Sequence, residues 1–119
     1  MANVDHYRQL VQNLLEDYSQ VDFNNPDLET ELIFDTQRVG AASSQKNHYE
    51  VVHVGWSNKR RVYGCVLNLD IKDGKIWIQH DGTEGGIALK LVERGVPKHD
   101  IVLGFHSPFK RQFTEFAVG

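Results

Sequence analysis

The sequence has little cysteine and no long apolar run, the features that mark secreted and membrane proteins. It has a single cysteine, Cys65, so it cannot form an internal disulfide, which suits a reducing cytoplasm. No apolar run approaches the ~20 residues that cross a bilayer. Residues 1–22 carry charges throughout and lack the uniform apolar stretch of a signal peptide. We therefore expect a cytoplasmic protein without a membrane association.

Length and composition are those of an ordinary globular domain. The 119 residues are 40% hydrophobic and 24% charged, which predicts a single domain over residues 1–119 that needs neither a metal nor a disulfide to fold. The net charge is −3, with a balance of −6 in residues 1–50 and +3 in residues 51–119. A negative net charge argues against a dedicated DNA-binding protein, although it is compatible with a local basic patch.

Apolar spacing predicts one long helix followed by strands. Residues 4–19 repeat apolar side chains at helical intervals, which predicts an amphipathic helix. Period-two alternation then predicts strands over residues 28–36, 49–56, 61–71 and 75–80. The small, polar stretch 39–47 is predicted to be a mobile loop.

The pair Asp73-Gly74 predicts a tight hairpin between the third and fourth strands, because a type I′ turn needs two positive φ angles. A two-residue loop pairs Ile71 with Ile76, Leu69 with Ile78 and Leu67 with His80. It also places Asn68 opposite Gln79 and Asp70 opposite Trp77. One face of this hairpin is then apolar and the other mostly polar, as a sheet covered on one side requires.

The remaining sequence predicts short helices and a last strand. Asp81 and Glu84 resemble a capping box before a helix that ends at Gly95. Residues 101–105 form a candidate fifth strand, and Ser107-Pro108 fits the N-cap and first position of a brief helix. The predicted class is α+β: an antiparallel sheet of four to five strands in a meander, with the N-terminal helix and the C-terminal helices packed on one face.

Residues capable of chemistry lack the spacing of a known site. The six histidines show no metal-ligand spacing, and the predicted register packs His80 on the apolar face. Residues 81–86 lack the Gly-Lys-Ser/Thr ending of a phosphate loop. Cys65 alternates with Leu67 and Leu69, which is typical of an inert core thiol. We therefore predict no catalytic residue, no metal site and no cofactor.

Two groups of residues are candidates for contacts with other molecules. The basic residues Lys59, Arg60, Arg61, Lys110 and Arg111 are candidate contacts for a partner protein or a nucleic acid. The alternative is that these basic side chains are simply solvated, with Phe109 and Phe113 packed inward, and the negative net charge of the chain favours this alternative. On the polar sheet face, Trp77 could anchor a homodimer interface. The candidates for that interface are His53, Asn68, Asp70, Trp77 and Gln79.

Several motifs resemble those of the XisI family, and together they cover nearly the whole chain. They are Glu-Thr-Glu-Leu-Ile-Phe-Asp-Thr (29–36), His-Tyr (48–49), Val-Gly-Trp (54–56), Arg-Val-Tyr-Gly-Cys (61–65), Asp-Ile-Lys-Asp-Gly-Lys-Ile-Trp-Ile-Gln (70–79), Asp-Gly-Thr-Glu (81–84), Gly-Val-Pro (95–97), Asp-Ile-Val-Leu-Gly-Phe-His (100–106) and Phe-Ala-Val (116–118). Members are small, mostly cyanobacterial proteins named as controlling factors for excision of the fdxN element. They are linked to a large serine-type site-specific recombinase and are commonly encoded beside a nuclease-like XisH protein.

The resemblance implies a non-enzymatic accessory factor that controls DNA excision by the recombinase during heterocyst differentiation. Its implied partners are an XisH-like protein and the recombinase, and it supplies no catalytic residues. One alternative is an inhibitory or stabilising subunit of a two-protein module with the XisH-like protein. Another is a protein that binds DNA directly through the basic residues.

Overall fold

The computed structural model describes residues 4–20, 26–36 and 47–119, and its elements follow the predicted order. The predicted mobile loop lies, apart from Asn47, outside the described residues. The elements are α1 (Val4–Ser19), β1 (Leu28–Asp35), β2 (His48–Ser57), β3 (Arg60–Lys72), β4 (Lys75–Asp81), α2 (Ile87–Glu93), a 3-10 turn (Lys98–Asp100), β5 (Ile101–Leu103) and α3 (Pro108–Arg111).

The strands form one sheet in the order β1-β2-β3-β4-β5. The first four pair antiparallel as a meander, as predicted. β5 pairs parallel with β4, because the chain crosses back through α2 before it enters the last strand. The α+β architecture is thus confirmed, with a mixed rather than wholly antiparallel sheet.

The hydrophobic core lies between the sheet and the helices α1 and α2. The helix predicted over residues 4–19 is confirmed, and it buries Tyr7, Leu10, Val11, Leu14 and Leu15. Ile87 and Leu91 of α2 join the same cluster, whereas α3 buries none of its residues. Among the described residues, no helix has the length and apolar character that a bilayer crossing requires.

The turn between β3 and β4 has the predicted conformation, with φ of 53° at Asp73 and 76° at Gly74. It pairs Ile71 with Ile76, Leu69 with Ile78 and Asp70 with Trp77, as predicted.

Beyond those pairs the predicted register of the hairpin is wrong. Asn68 pairs with His80 and Leu67 with Asp81, because Gln79 is an extra residue in β4. This β-bulge reverses the direction of the side chains that follow it. His80 is therefore exposed and does not pack in the core, contrary to the prediction.

A second bulge lies between β2 and β3. Val51 pairs with Leu67 and Val52 with Cys65, so Val66 is the extra residue in β3. Cys65 consequently lies on the face opposite Leu67 and is exposed, and its prediction as a core thiol is wrong.

The predicted position of His53 is also wrong. In β2 it alternates with Val52, and it pairs with Gly64 of β3 and Thr30 of β1. Because successive side chains in a strand point to opposite faces, His53 lies on the face of Tyr49 and Val51. It therefore does not share a face with Asn68 and Asp70.

The ends of the two C-terminal helices largely follow the predicted signals. Gly95, with φ of 99°, and Val96 donate to Val92 and Leu91, which is the hydrogen-bond pattern of a Schellman motif. The Ser107 side chain caps α3 by accepting from the Lys110 backbone N–H. The capping box with Glu84 is not formed, since α2 begins only at Ile87.

Candidate protein-contact surfaces

The face of the sheet opposite α1 and α2, here called the open face, carries a mixed set of polar and aromatic side chains. The pairing and alternation of the strands place on it Glu29, Glu31, Ile33, Asp35, His48, Glu50, Val52, Val54, Trp56, Arg61, Tyr63, Cys65, Asn68, Asp70, Trp77, Gln79 and His80. Four of the predicted interface residues, Asn68, Asp70, Trp77 and Gln79, therefore share this face.

A hydrogen-bonded cluster on the open face ties three strands together. His48 Nδ1 of β2 lies 2.6 Å from Asp70 Oδ1 of β3, and His48 Nε2 lies 3.2 Å from Glu50 Oε2. The Gln79 side-chain amide of β4 donates to Asp70 Oδ2 at 3.2 Å. Because a carboxylate faces each ring nitrogen of His48, the imidazole is held as a cross-strand link.

The pKa of His48 responds to opposing influences. Burial, the largest of them, lowers it, but the hydrogen bonds to Asp70 and Glu50 and the negative charges of these residues together raise the pKa above its ordinary value of 6.5. The protonated imidazolium is thus favoured in the folded protein. Its stabilising effect is complete below the unfolded-state pKa and is lost as the pH rises through the folded-state pKa.

Replacing His48 by glutamine should therefore cost more stability below pH 6.5 than in alkaline solution. The measurement is urea unfolding of the wild type and H48Q at a series of pH values between about 5.5 and 9. H6Q, which removes an exposed histidine from α1, is the matched control. A stability difference between wild type and H48Q that does not change with pH would contradict the role of the imidazolium.

Cys65 lies beside this cluster. Its Sγ is 3.2 Å from the Leu67 carbonyl oxygen and 3.8 Å from Glu50 Oε1. Burial of the sulfur raises the pKa of the thiol, and the Glu50 charge raises it further. The thiolate, which is the nucleophilic form, is therefore disfavoured at neutral pH.

Two cations contact the rings of Trp77. Lys72 Nζ is 4.3 Å and Arg111 Cζ is 5.1 Å from the centre of its rings, both within the range of cation–π attraction. The Arg111 guanidinium also donates to three backbone carbonyl oxygens, those of Gly104, His106 and Val118. Arg111 therefore fastens the C-terminal segment to the rim of the open face, and its donors are engaged within the chain.

The predicted basic residues do not form one patch. Lys59, Arg60 and Arg61 are exposed at the hairpin between β2 and β3. Arg111, by contrast, lies over Trp77 of β4. Trp77 pairs with Asp70, which is ten residues beyond Arg60 along β3. At ~3.3 Å per residue, the two groups are roughly 30 Å apart.

An aromatic surface forms near the C terminus. Phe109 is 67% exposed and Phe113 75%, and their ring centres lie 5.2 Å apart in an edge-to-face pair. The prediction that these rings pack inward is therefore wrong, because α3 ends at Arg111 and is too short to present a buried face. We call this pair the C-terminal aromatic surface. Phe105 and Val118 of the same chain segment are exposed as well.

A cavity of about 150 Å³ lies between α1 and α2. Its lining residues are Leu14, Asp17, Tyr18, Ile87, Lys90 and Arg94. An ion pair between Arg94 and Asp17, 2.7 Å long, bridges the two helices beside it. Ligand pockets commonly measure ~300 Å³ or more, so this cavity is small for a substrate. In the part of the chain that the structure describes, no three His, Cys, Asp or Glu side chains are grouped to hold a metal ion.

Comparison with known proteins supports the family resemblance. The sequence model described as XisI protein matches residues 1–118. A solved XisI-like protein from Anabaena variabilis ATCC 29413 is 45% identical, with a TM-score of 0.82 over 96% of this chain and 97% of that chain. The solved fdxN element excision controlling factor XisI from the same strain is 37% identical, with a TM-score of 0.77 over 98% and 99% of the two chains. No curated protein matches. With a match over almost its entire length, the chain belongs to the XisI family.

Proposed function

We propose that this protein controls the excision of a DNA element by a site-specific recombinase and that it does so without catalysing a reaction itself. The support is the 37% identity, over almost the full length of both chains, to a protein named fdxN element excision controlling factor. Within this role the protein binds an XisH-like protein and the recombinase, as part of heterocyst differentiation.

The observation that carries the protein-contact part of this proposal is the C-terminal aromatic surface. Phe109 and Phe113 expose most of their rings to solvent, at a cost in free energy that a docked protein would remove. Exposed aromatic side chains that become buried on association dominate the affinity of many protein interfaces. Lys110, which is exposed and directly follows Phe109 in the sequence, adds a positive charge to this segment.

The aromatic surface is held in place before any partner binds. Ser107 caps α3, and Arg111 joins the segment to the Gly104, His106 and Val118 carbonyl oxygens. Ala117 then forms a parallel β-bridge with Val102 of β5. A surface ordered in this way loses little conformational entropy on binding, which favours its use as a docking site.

The titratable groups of the open face favour a structural role over a catalytic one. The imidazole of His48 is engaged by Asp70 and Glu50, and the raised pKa of the Cys65 thiol keeps it protonated. A general base or a nucleophile needs instead a free, suitably ionised group within reach of a substrate.

The arrangement of the basic residues favours protein contacts over direct binding to DNA. Lys59, Arg60 and Arg61 are separated from Lys110, and Arg111 is engaged with carbonyl oxygens. Each group alone offers few of the several phosphate contacts that duplex binding requires.

A subunit of a two-protein module with an XisH-like protein is the second candidate function. The aromatic surface favours it as much as the first, because both functions need a protein partner. The two differ in what happens to DNA: only the first makes excision depend on this chain.

In an Anabaena strain that lacks its own XisI, we expect this protein to restore excision of the fdxN element. The double variant Phe109→Ser/Phe113→Ser should lower excision at least tenfold, because loss of two exposed aromatic anchors costs about 2 kcal/mol or more of binding free energy. Excision is measured by quantitative PCR across the rejoined DNA ends. Leu89→Ser, on α2 and 57% exposed, is the matched control and should leave excision unchanged.

The possible outcomes test the proposed role in excision and the proposed docking surface separately. If the wild-type chain does not restore excision although it is expressed and folded, the proposed role in excision is wrong. If both the wild type and the Phe109/Phe113 variant restore it equally, the aromatic surface is not the docking site. Binding of the XisH-like protein without any effect on excision would favour the two-protein module.

A further inference from the structure

The two edges of the sheet differ in what covers them. At the β5 edge the C-terminal segment adds to the sheet, because the Ala117 N–H donates to the Ile101 carbonyl oxygen at 2.9 Å and Ala117 forms a bridge with Val102. β1 forms the other edge, and within residues 4–20, 26–36 and 47–119 it pairs with β2 alone. An uncovered strand edge can pair with a further strand.

The backbone of β1 presents a regular row of hydrogen-bonding groups at this edge. The Trp56 N–H donates to the Asp27 carbonyl oxygen, and the pairing with β2 continues from there to Asp35 without a bulge. Because antiparallel pairing directs alternate residues toward the neighbouring strand, Asp27 and every second residue after it bond to β2. The residues between them direct their N–H and C=O groups away from the sheet: Leu28, Thr30, Leu32 and Phe34.

The sequence of β1 leaves this edge able to accept a strand. Its eight residues include neither proline nor lysine, which are the residues that most often block a sheet edge. A bulge, which would twist the edge away, is also absent from its pairing with β2. The side chains of β1 therefore decide which strand can pair with it.

The side chains on the open face of β1 are acidic and exposed. Glu29 lies beside Val54 of β2 and Glu31 beside Val52, so β2 offers neither carboxylate a cation across the strands. In the described part of the chain, no ion pair neutralises Glu29 or Glu31. Opposite charges directly across two strands stabilise their pairing, so this edge favours a basic strand.

We propose that β1 binds an extended segment of a partner protein in which basic residues alternate with apolar ones. Main-chain hydrogen bonds to the outward groups of β1 add this segment to the sheet as a further strand. Its basic side chains lie opposite Glu29 and Glu31, with Cβ atoms roughly 5 Å apart. Its apolar side chains extend the core beside Leu32 and Phe34, which are only partly buried. This binding site is separate from the C-terminal aromatic surface and does not depend on the proposed function.

The same charges disfavour a second copy of this chain as the occupant of the edge. In each antiparallel register that overlaps most of β1, a carboxylate of one copy lies opposite a carboxylate of the other, from among Glu29, Glu31 and Asp35. Like charges directly opposite each other destabilise a pair of strands. A basic segment replaces this repulsion by attraction.

Isothermal titration calorimetry of the full chain with the synthetic peptide acetyl-Lys-Val-Lys-Val-Lys-Val-Lys-amide tests the proposal. This peptide should bind at least about tenfold more tightly than Lys-Lys-Lys-Lys-Val-Val-Val, which has the same composition without the alternation. The double variant Glu29→Lys/Glu31→Lys should weaken binding of the alternating peptide at least about tenfold, because two pairs of opposite charges become pairs of like charge. Glu93→Lys, a reversed charge on α2, is the matched control and should leave binding unchanged.

Amide hydrogen exchange measured by NMR tests the geometry of binding in the unmodified chain. At a free concentration of the alternating peptide about ten times its dissociation constant, exchange of the Thr30 and Leu32 N–H groups should slow about tenfold. The N–H groups of Glu31 and Ile33 already bond to β2 and should change much less. Only a strand added to the edge of β1 produces this alternation along the sequence.

Three results would overturn the proposal. The first is protection of the Thr30 and Leu32 amides in the free chain as strong as that of Glu31 and Ile33, which would mean that the edge is already covered. The second is equal binding of the two lysine peptides, which would mean that charge alone attracts them. The third is equal binding of the alternating peptide by E29K/E31K and E93K. None of these measurements involves DNA excision, so failure here leaves the proposed function untouched.

Discussion

Replacing Gly55 by alanine is expected to lower the free energy of unfolding by about 3 kcal/mol. Gly55 has φ of 151°, a backbone conformation that side chains disfavour. A Cβ atom there would lie 2.1 Å from the carbonyl oxygen of Asp27, which is far inside van der Waals contact. The same carbonyl oxygen accepts the Trp56 N–H at 3.0 Å, so the methyl group would push apart the first pair of β1 and β2.

Gly64 provides the matched control for this substitution. It lies in β3 among the same strands, and a Cβ added there meets no heavy atom within 4 Å. Gly64→Ala should change stability by less than about 0.5 kcal/mol. The measurement is urea unfolding followed by circular dichroism, and equal effects of G55A and G64A would show that the approach of Asp27 to Gly55 does not matter.

Much of the fold follows from local signals that the sequence displays. The apolar spacing of residues 4–19 reproduced α1, and Asp73-Gly74 determined the turn and the first pairs of the hairpin. Ser107-Pro108 and Gly95 marked helix ends correctly. Each of these signals rests on a backbone requirement confined to a few neighbouring residues, so tertiary packing had little opportunity to override it.

The errors at Cys65 and His80 share a different cause: each prediction assumed that strand alternation continues without interruption. The extra residues are Val66 and Gln79, and neither is unusual in a strand, so neither marks its bulge by its chemistry. Yet each bulge reverses the predicted facing of the strand side chains across it, which is why Cys65 and His80 were assigned to the wrong face.

One residue does carry a signal for these bulges. The Gly82 N–H donates to the Val66 carbonyl oxygen at 2.7 Å, and a Cβ at Gly82 would lie 3.2 Å from that oxygen. A glycine just after a strand can thus mark a close approach of two backbones at a bulge.

The candidate contact surfaces were identified only in part. Asn68, Asp70 and Trp77 were correctly placed on one face because they lie near the reliable turn. The sequence shows that phenylalanines cluster near the C terminus, but it does not show that they are exposed. Spacing at i and i+4 suggests a buried helix face only when the helix is long enough to have one, and α3 ends between Phe109 and Phe113.

The second substitution with a large expected effect on stability is at Asp81, whose position depends on the bulge at Gln79. Because the bulge places Asp81 opposite Leu67, its carboxylate lies on the covered face, beside the start of α2. Asp81 Oδ2 accepts the Ile87 N–H at 2.7 Å, and Oδ1 accepts the Thr83 N–H at 2.9 Å and the Thr83 hydroxyl at 2.6 Å. One side chain thus caps α2 and holds the loop that joins it to β4.

Asp81→Ala should therefore lower the free energy of unfolding by about 2 kcal/mol, since it removes a helix cap and leaves partly buried N–H groups without an acceptor. Asp81→Asn, which keeps one acceptor oxygen, should lose roughly half as much. Glu84→Ala is the informative control: a capping box would make it as harmful as the Asp81 change, whereas the observed geometry predicts less than about 0.5 kcal/mol. Chemical unfolding of the three variants at one pH measures all of these effects. A large loss of stability in E84A with little loss in D81A would support the capping box and contradict the capping of α2 by Asp81 of β4.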